Sequence, residues 1–81
     1  MLELEASHSH LYPGARGRLL SGRPEDGPVM LTFADGTRVP GTLAGDRLTL
    51  AAHKTAAGTG IPEKSWTLRF EGQGFRALSR G

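Results

Sequence analysis

Along most of this chain apolar and polar residues alternate with a period of two, the spacing that turns one face of a strand inward. Leu2-Glu3-Leu4-Glu5-Ala6 sets apolar against acidic positions and predicts an N-terminal strand, with a short helix as the alternative. Over residues 29–34, Val29, Leu31 and Phe33 share one face, and Met30, Thr32 and Ala34 share the other. Over 47–51, Leu48 and Leu50 point inward. Trp66, Leu68 and Phe70 face a core, while Thr67, Arg69 and Glu71 face outward. Residues 16–21 form a further short strand, and residues 75–79 close a last hairpin.

Twelve Gly and five Pro interrupt any long helical pattern and mark the turns. Asp35-Gly36 is a two-residue hairpin signal, because Gly accepts positive φ freely and Asp tolerates it. The return strand then runs over 37–43. Pro40 lacks an N–H for the ladder and Gly41 has no side chain to pack, which marks an edge, a bulge or a sharp bend. Tyr12-Pro13-Gly14, Gly45-Asp46 and Gly72-Gln73-Gly74 read as turns, and 22–27 and 53–62 as loops. The expectation is one domain over 1–81, all-β, with five to seven short strands.

Composition narrows the setting. The chain has 81 residues and no Cys, so no disulfide or thiolate site supports its modest core. No apolar run approaches the length of a membrane span, and the acidic start does not resemble a secretory signal. A cytoplasmic chain with no membrane role is expected. Net charge is +2, and the basic excess is C-terminal: Lys54, Lys64, Arg69, Arg76 and Arg80 stand against Glu63 and Glu71 after residue 50. Such asymmetry can favour nucleic acid or an acidic partner, but the excess is small, and eight Arg to two Lys fits compositional bias better.

The stretch from Val29 to Leu50 resembles the first signature of Sm and Sm-like proteins: an apolar strand, a turn at Asp35-Gly36, a strand ending in Gly41-Thr42-Leu43, and Asp46 before a third strand. The resemblance implies a small, strongly bent antiparallel barrel, Sm-like or SH3-like, in which Gly41 lets a curved strand pass without a Cβ clash. It does not extend to the family's RNA site. Residues 7–15 read as loop where the family usually opens with a helix. Asp46 is followed by Arg47-Leu48-Thr49-Leu50 in place of the RNA-contacting Asn, and the second signature has no counterpart.

Candidate chemistry is sparse. His8 and His10, two apart, point the same way on a strand and with His53 would supply three imidazoles for zinc, against which stands a solvated Ser-His-Ser-His loop. No Ser sits in a nucleophile elbow. Ala57-Gly58-Thr59-Gly60 has a phosphate-loop flavour without the Gly-Lys-Ser/Thr ending. Trp66, Phe70 and Phe75 form either a base-stacking platform or a core, and their periodicity favours the core. Arg69 and Arg76, placed across from each other on the last hairpin, form with Lys64 and Arg80 the candidate surface for nucleic acid or another partner. The expected function is a non-catalytic binding or assembly module without a cofactor. RNA, other nucleic acid or protein are its possible partners, and self-association through an open strand edge is expected. The alternatives are a small metal-dependent enzyme subunit and a purely structural oligomer component.

Overall fold

A computed structural model describes residues 1–80, with side chains described through Leu78. Nine strands follow in order: β1 (Leu2–Ala6), β2 (Arg16–Leu19), β3 (Gly27–Thr32), β4 (Arg38–Ala44), β5 (Arg47–Leu50), β6 (His53–Lys54), β7 (Gly60–Ile61), β8 (Lys64–Glu71) and β9 (Gly74–Arg80). Seven of them close into a barrel in the order β1-β2-β9-β8-β5-β4-β3, and β6 and β7 form a separate two-stranded sheet. All barrel pairings are antiparallel except the one that closes it. There β1 runs parallel to β3, with Leu2 opposite Val29 and Glu5 opposite Thr32.

Alternation sets what faces inward. Leu2, Leu4 and Ala6 of β1 are buried, while Glu3 is exposed and Glu5 half-buried. On the outside Glu5 meets Arg18 at 3.0 Å and Glu3 meets Arg38 at 3.8 Å. Val29, Leu31, Val39, Leu43, Leu48 and Leu68 fill the centre, with Phe33, Leu50, Trp66 and Phe75 around them. Phe70 is half-buried against this core. No polar or charged residue is buried among the described residues. N-terminal alternation therefore makes a strand and not a short helix.

The central hairpin forms where expected, but its turn is longer than two residues. β3 and β4 pair as far as Thr32 and Arg38. Phe33 N then donates to Thr37 O at 2.8 Å, and Gly36 N to Phe33 O at 2.9 Å. Only Gly36, at φ +92°, takes a positive φ here, and no non-glycine residue does. Ala34 and Asp35 thus occupy the centre of an ordinary turn, and Gly36 supplies the left-handed residue that a three-residue loop requires. Asp35 Oδ1 accepts from Thr37 N at 2.9 Å, and this backbone bond, joined by the Thr37 hydroxyl, holds the Asp35 carboxyl below the usual carboxylate range.

Pro40 and Gly41 bend β4. The Pro40 carbonyl accepts from Ala51 N at 3.0 Å. The N and C=O of one strand residue point the same way, so the missing Pro N–H faces the position just past the end of β5, where the ladder needs no donor. A Cβ on Gly41 would collide with the Thr49 carbonyl oxygen. β5 crosses β4 at a distance only glycine permits. At the other seam, β8 and β9 shift register between Thr67 and Leu68. Leu78 is the extra residue on β9 and stands 44% exposed.

The last hairpin does not supply a free edge. β9 is paired on both sides, to β8 and to β2, and closure removes edges from the main sheet. The strand edges left open belong to β6 and β7, inside the segment 53–62 that reads as loop.

Two outcomes follow from this packing. Trp66→Ala should lower unfolding free energy by about 3–5 kcal/mol, the range for truncating a buried aromatic; an unchanged denaturant midpoint would place Trp66 outside the core. The Asp35 carboxylate, favoured by its hydrogen bonds in the folded chain, should titrate below the unfolded value of about 3.9. Because the folded pKa is the lower one, its stabilising contribution is present above that value and is lost as pH falls through the folded pKa. A 13C titration of the Asp35 carboxyl with a midpoint at or above 4 would contradict the turn geometry.

Candidate functional site

Strand register assembles a row of arginines that the linear sequence disperses. Arg76 on β9 lies directly opposite Arg69 on β8 and opposite Arg16 on β2. Neighbouring strands are about 4.8 Å apart, so the three residues span roughly 10 Å in one line across the outer wall. Inward neighbours fix the outward direction: Leu68 and Phe75 are buried, as is Ala77. Arg16 and Arg69 are exposed and Arg76 is half-buried.

Charge compensation along this row is thin. Arg69 Nε stands 3.9 Å from Glu71 Oε2. Arg16 and Arg76 have no carboxylate within 4 Å among the described residues. Arg76 Nε is buried and has no hydrogen-bond partner among them. Like charges set directly opposite each other destabilise a strand pair, so the row costs the apo fold something on both flanks of β9. Arginine is also the side chain whose planar fork fits phosphate and carboxylate.

The expected pair Arg69 and Arg76 is brought together, and Arg16 joins it. Arg16 could be found only through the pairing of β2 with β9, which joins positions sixty residues apart. Lys64 is separated from the row. It pairs with Leu50 on β5 and shares the inward alternation of Trp66 and Leu68, which takes it to the mouth of the barrel. The Arg80 side chain lies outside the described residues; its backbone pairs with Trp66. The aromatics do not form a platform beside the arginines. Trp66 and Phe75 are buried and Phe70 is packed on the core.

The histidines divide. His8 Nδ1 lies 3.2 Å from both the Tyr12 hydroxyl and the Ser7 hydroxyl, and His10 tilts against the Tyr12 ring at 5.6 Å. His53 is held on β6, its Nδ1 2.9 Å from the Ala51 carbonyl and its ring stacked on Phe33 at 6.2 Å, and of the other two only His10 lines the same cavity. Among the described residues no three His, Asp or Glu side chains gather into a group that could hold a metal ion. The small-residue loop is a hairpin tip and not a phosphate cradle. Gly58 N and Thr59 N donate back to Thr55, at 2.9 and 3.1 Å, so those amides are occupied within the loop.

One cavity of about 150 Å³ opens at the barrel mouth, between the segment after β1 and the β6–β7 hairpin. Leu11, Phe33, Leu50, Ile61, Pro62 and Trp66 give it apolar walls, and His10, His53 and Lys64 stand among its polar groups. Sequence reasoning missed it, because two stretches that read as loops, 7–15 and 53–62, fold over the strand residues Phe33, Leu50 and Trp66 to complete it.

The fold and these surfaces define a small closed β-barrel, and no metal-binding cluster is found among its described residues. Comparisons with protein-family models, with curated proteins and with solved structures each find no match to this chain. No helix among the described residues is long and apolar enough to cross a membrane.

Relieving the opposed charges should stabilise the free protein. Arg76→Met keeps the stem's packing and removes the guanidinium, and should raise stability by roughly 0.2–1 kcal/mol at low salt, with the gain shrinking in 1 M salt. A destabilised Arg76→Met variant would mean the guanidinium is internally satisfied.

Proposed function

We propose that this chain is a non-catalytic binding module that docks the phosphate backbone of a single-stranded nucleic acid on the outer wall of β2, β9 and β8. The observation that carries the reading is the in-register row Arg16, Arg76 and Arg69, built at a cost to the free fold and weakly compensated by acids. The local resemblance to Sm proteins adds the barrel geometry and no base-reading residue. Aromatics turned into the core leave no stacking partner beside the arginines, so binding is expected to track charge and not base identity.

Counterion release gives a slope of about −0.7 per neutralised phosphate on a single strand. Three arginines therefore predict a log–log salt slope near −2. Fluorescence anisotropy with labelled oligo-U and a mixed-sequence strand should give equal affinities and this slope, and Arg16→Gln and Arg76→Gln should each flatten it by about 0.7. Salt-resistant preference for oligo-U, or affinity unchanged in both variants, would overturn the reading.

A further inference from the structure

We propose that the barrel-mouth cavity is a second, independent site, and that it takes a small aromatic carboxylate: one six-membered ring bearing one acid group. Size sets the first term. A cavity of about 150 Å³ matches the volume at which an apolar protein cavity accepts a single benzene ring. Its walls suit such a ring, since Phe33, Leu50 and Trp66 bring apolar surface from three different segments and Ile61 closes over them from β7.

Charge sets the second term. The polar lining is Ser9, His10, His53, Thr55 and Lys64, with hydroxyls and nitrogen bases but no carboxylate. Glu63, the acid next to Lys64 in sequence, is exposed and outside the lining. Lys64 is half-buried and has no acidic partner within 4 Å among the described residues. Lys64 is the one lysine or arginine in that lining and carries no internal counter-charge among the described residues, so a bound carboxylate at the cavity would be its ion-pair partner.

Orientation of His53 sets the third. The Ala51 carbonyl can only accept, so the Nδ1 that lies 2.9 Å from it carries a proton. Phe33 stacks on the same imidazole at an interplanar angle of 21°. Hydrogen bond and stack together fix the ring, so His53 extends the aromatic wall begun by Phe33, and its Nε2, an acceptor in this tautomer, offers a carboxylate no donor. A bound carboxylate would lie against Lys64, with its ring between Phe33 and Trp66.

Trp66 is the chain's one tryptophan and lines the cavity, so the site carries its own reporter. Benzoate is the probe, and benzamide, of the same shape without the charge, is its control. Benzoate should change Trp66 fluorescence saturably and shift the amide resonances of Leu50, Ile61, Lys64 and Trp66, with at least tenfold weaker binding of benzamide. Lys64→Met should weaken benzoate about as much while leaving benzamide unchanged. Ile61→Trp, on the peripheral hairpin, should block both by filling the cavity. Melting curves of the two variants control for folding. Equal binding of benzoate and benzamide overturns the carboxylate assignment. Shifts confined to Arg16, Arg69 and Arg76, or no saturable shift with millimolar benzoate, overturn the site. Nucleic-acid docking is read separately, from the salt slope and from the Arg16 and Arg76 variants.

Discussion

The parallel pairing of β1 with β3 is the interaction on which the rest of this molecule depends. Six antiparallel pairings make a curved ribbon, and only the seventh makes it a barrel. Closure leaves the main sheet with no unpaired edge and gives the apolar faces of all seven strands a common interior. It also places the first strand in the middle of the sheet, between β2 and β3. There its acidic outer positions meet Arg18 and Arg38. Two glycines let the wall curve tightly enough. Gly41 passes under the Thr49 carbonyl, and Gly17 leaves room for the Phe75 ring and the Glu5 carbonyl oxygen.

Much of this was legible because strands announce themselves locally. Val29, Leu31 and Phe33 alternate with less buried neighbours, and so do Leu48 with Leu50 and Trp66 with Leu68; period and burial agree at every one of these positions. Turn chemistry at Asp35-Gly36 was local too, although the hydrogen bond from Gly36 to Phe33 shows a turn one residue longer than the dipeptide alone suggests. What stayed hidden is non-local. No short window contains the parallel register of Leu2 with Val29 or the antiparallel one of Gly17 with Phe75. The short sheet of His53-Lys54 with Gly60-Ile61 was obscured by small residues whose composition is that of a loop.

The candidate sites obey the same division. Arg69 and Arg76 share one hairpin, so their juxtaposition follows from counting back from the turn at Gly72. Arg16 enters only through a strand pairing that no local pattern encodes. Lys64 belongs by composition with the basic C-terminal part but by alternation with Trp66 and Leu68, and the alternation decides where it goes. The barrel thus sorts its described cations by strand parity: Arg16, Arg69 and Arg76 on outward positions form a charged wall, and Lys64 at an inward position arrives at an apolar cavity.

The seam between β2 and β9 also bears on how the molecule is made. β8 and β9 meet across a two-residue turn and β3, β4 and β5 across short ones, so these pairings close small loops. Joining Gly17 to Phe75 encloses most of the chain, and loop-closure entropy rises with the length enclosed. Such long-range pairings place a barrel among the slower folders of its size, in milliseconds to seconds. This seam is the one that brings Arg16 against Arg76, so repulsion between the two acts on the longest-range closure in the chain. The full arginine row exists only once β2 has paired with β9. An anion held by all three arginines would therefore favour the states in which this seam has formed, and the charged wall would serve as a latch on the longest closure in the chain.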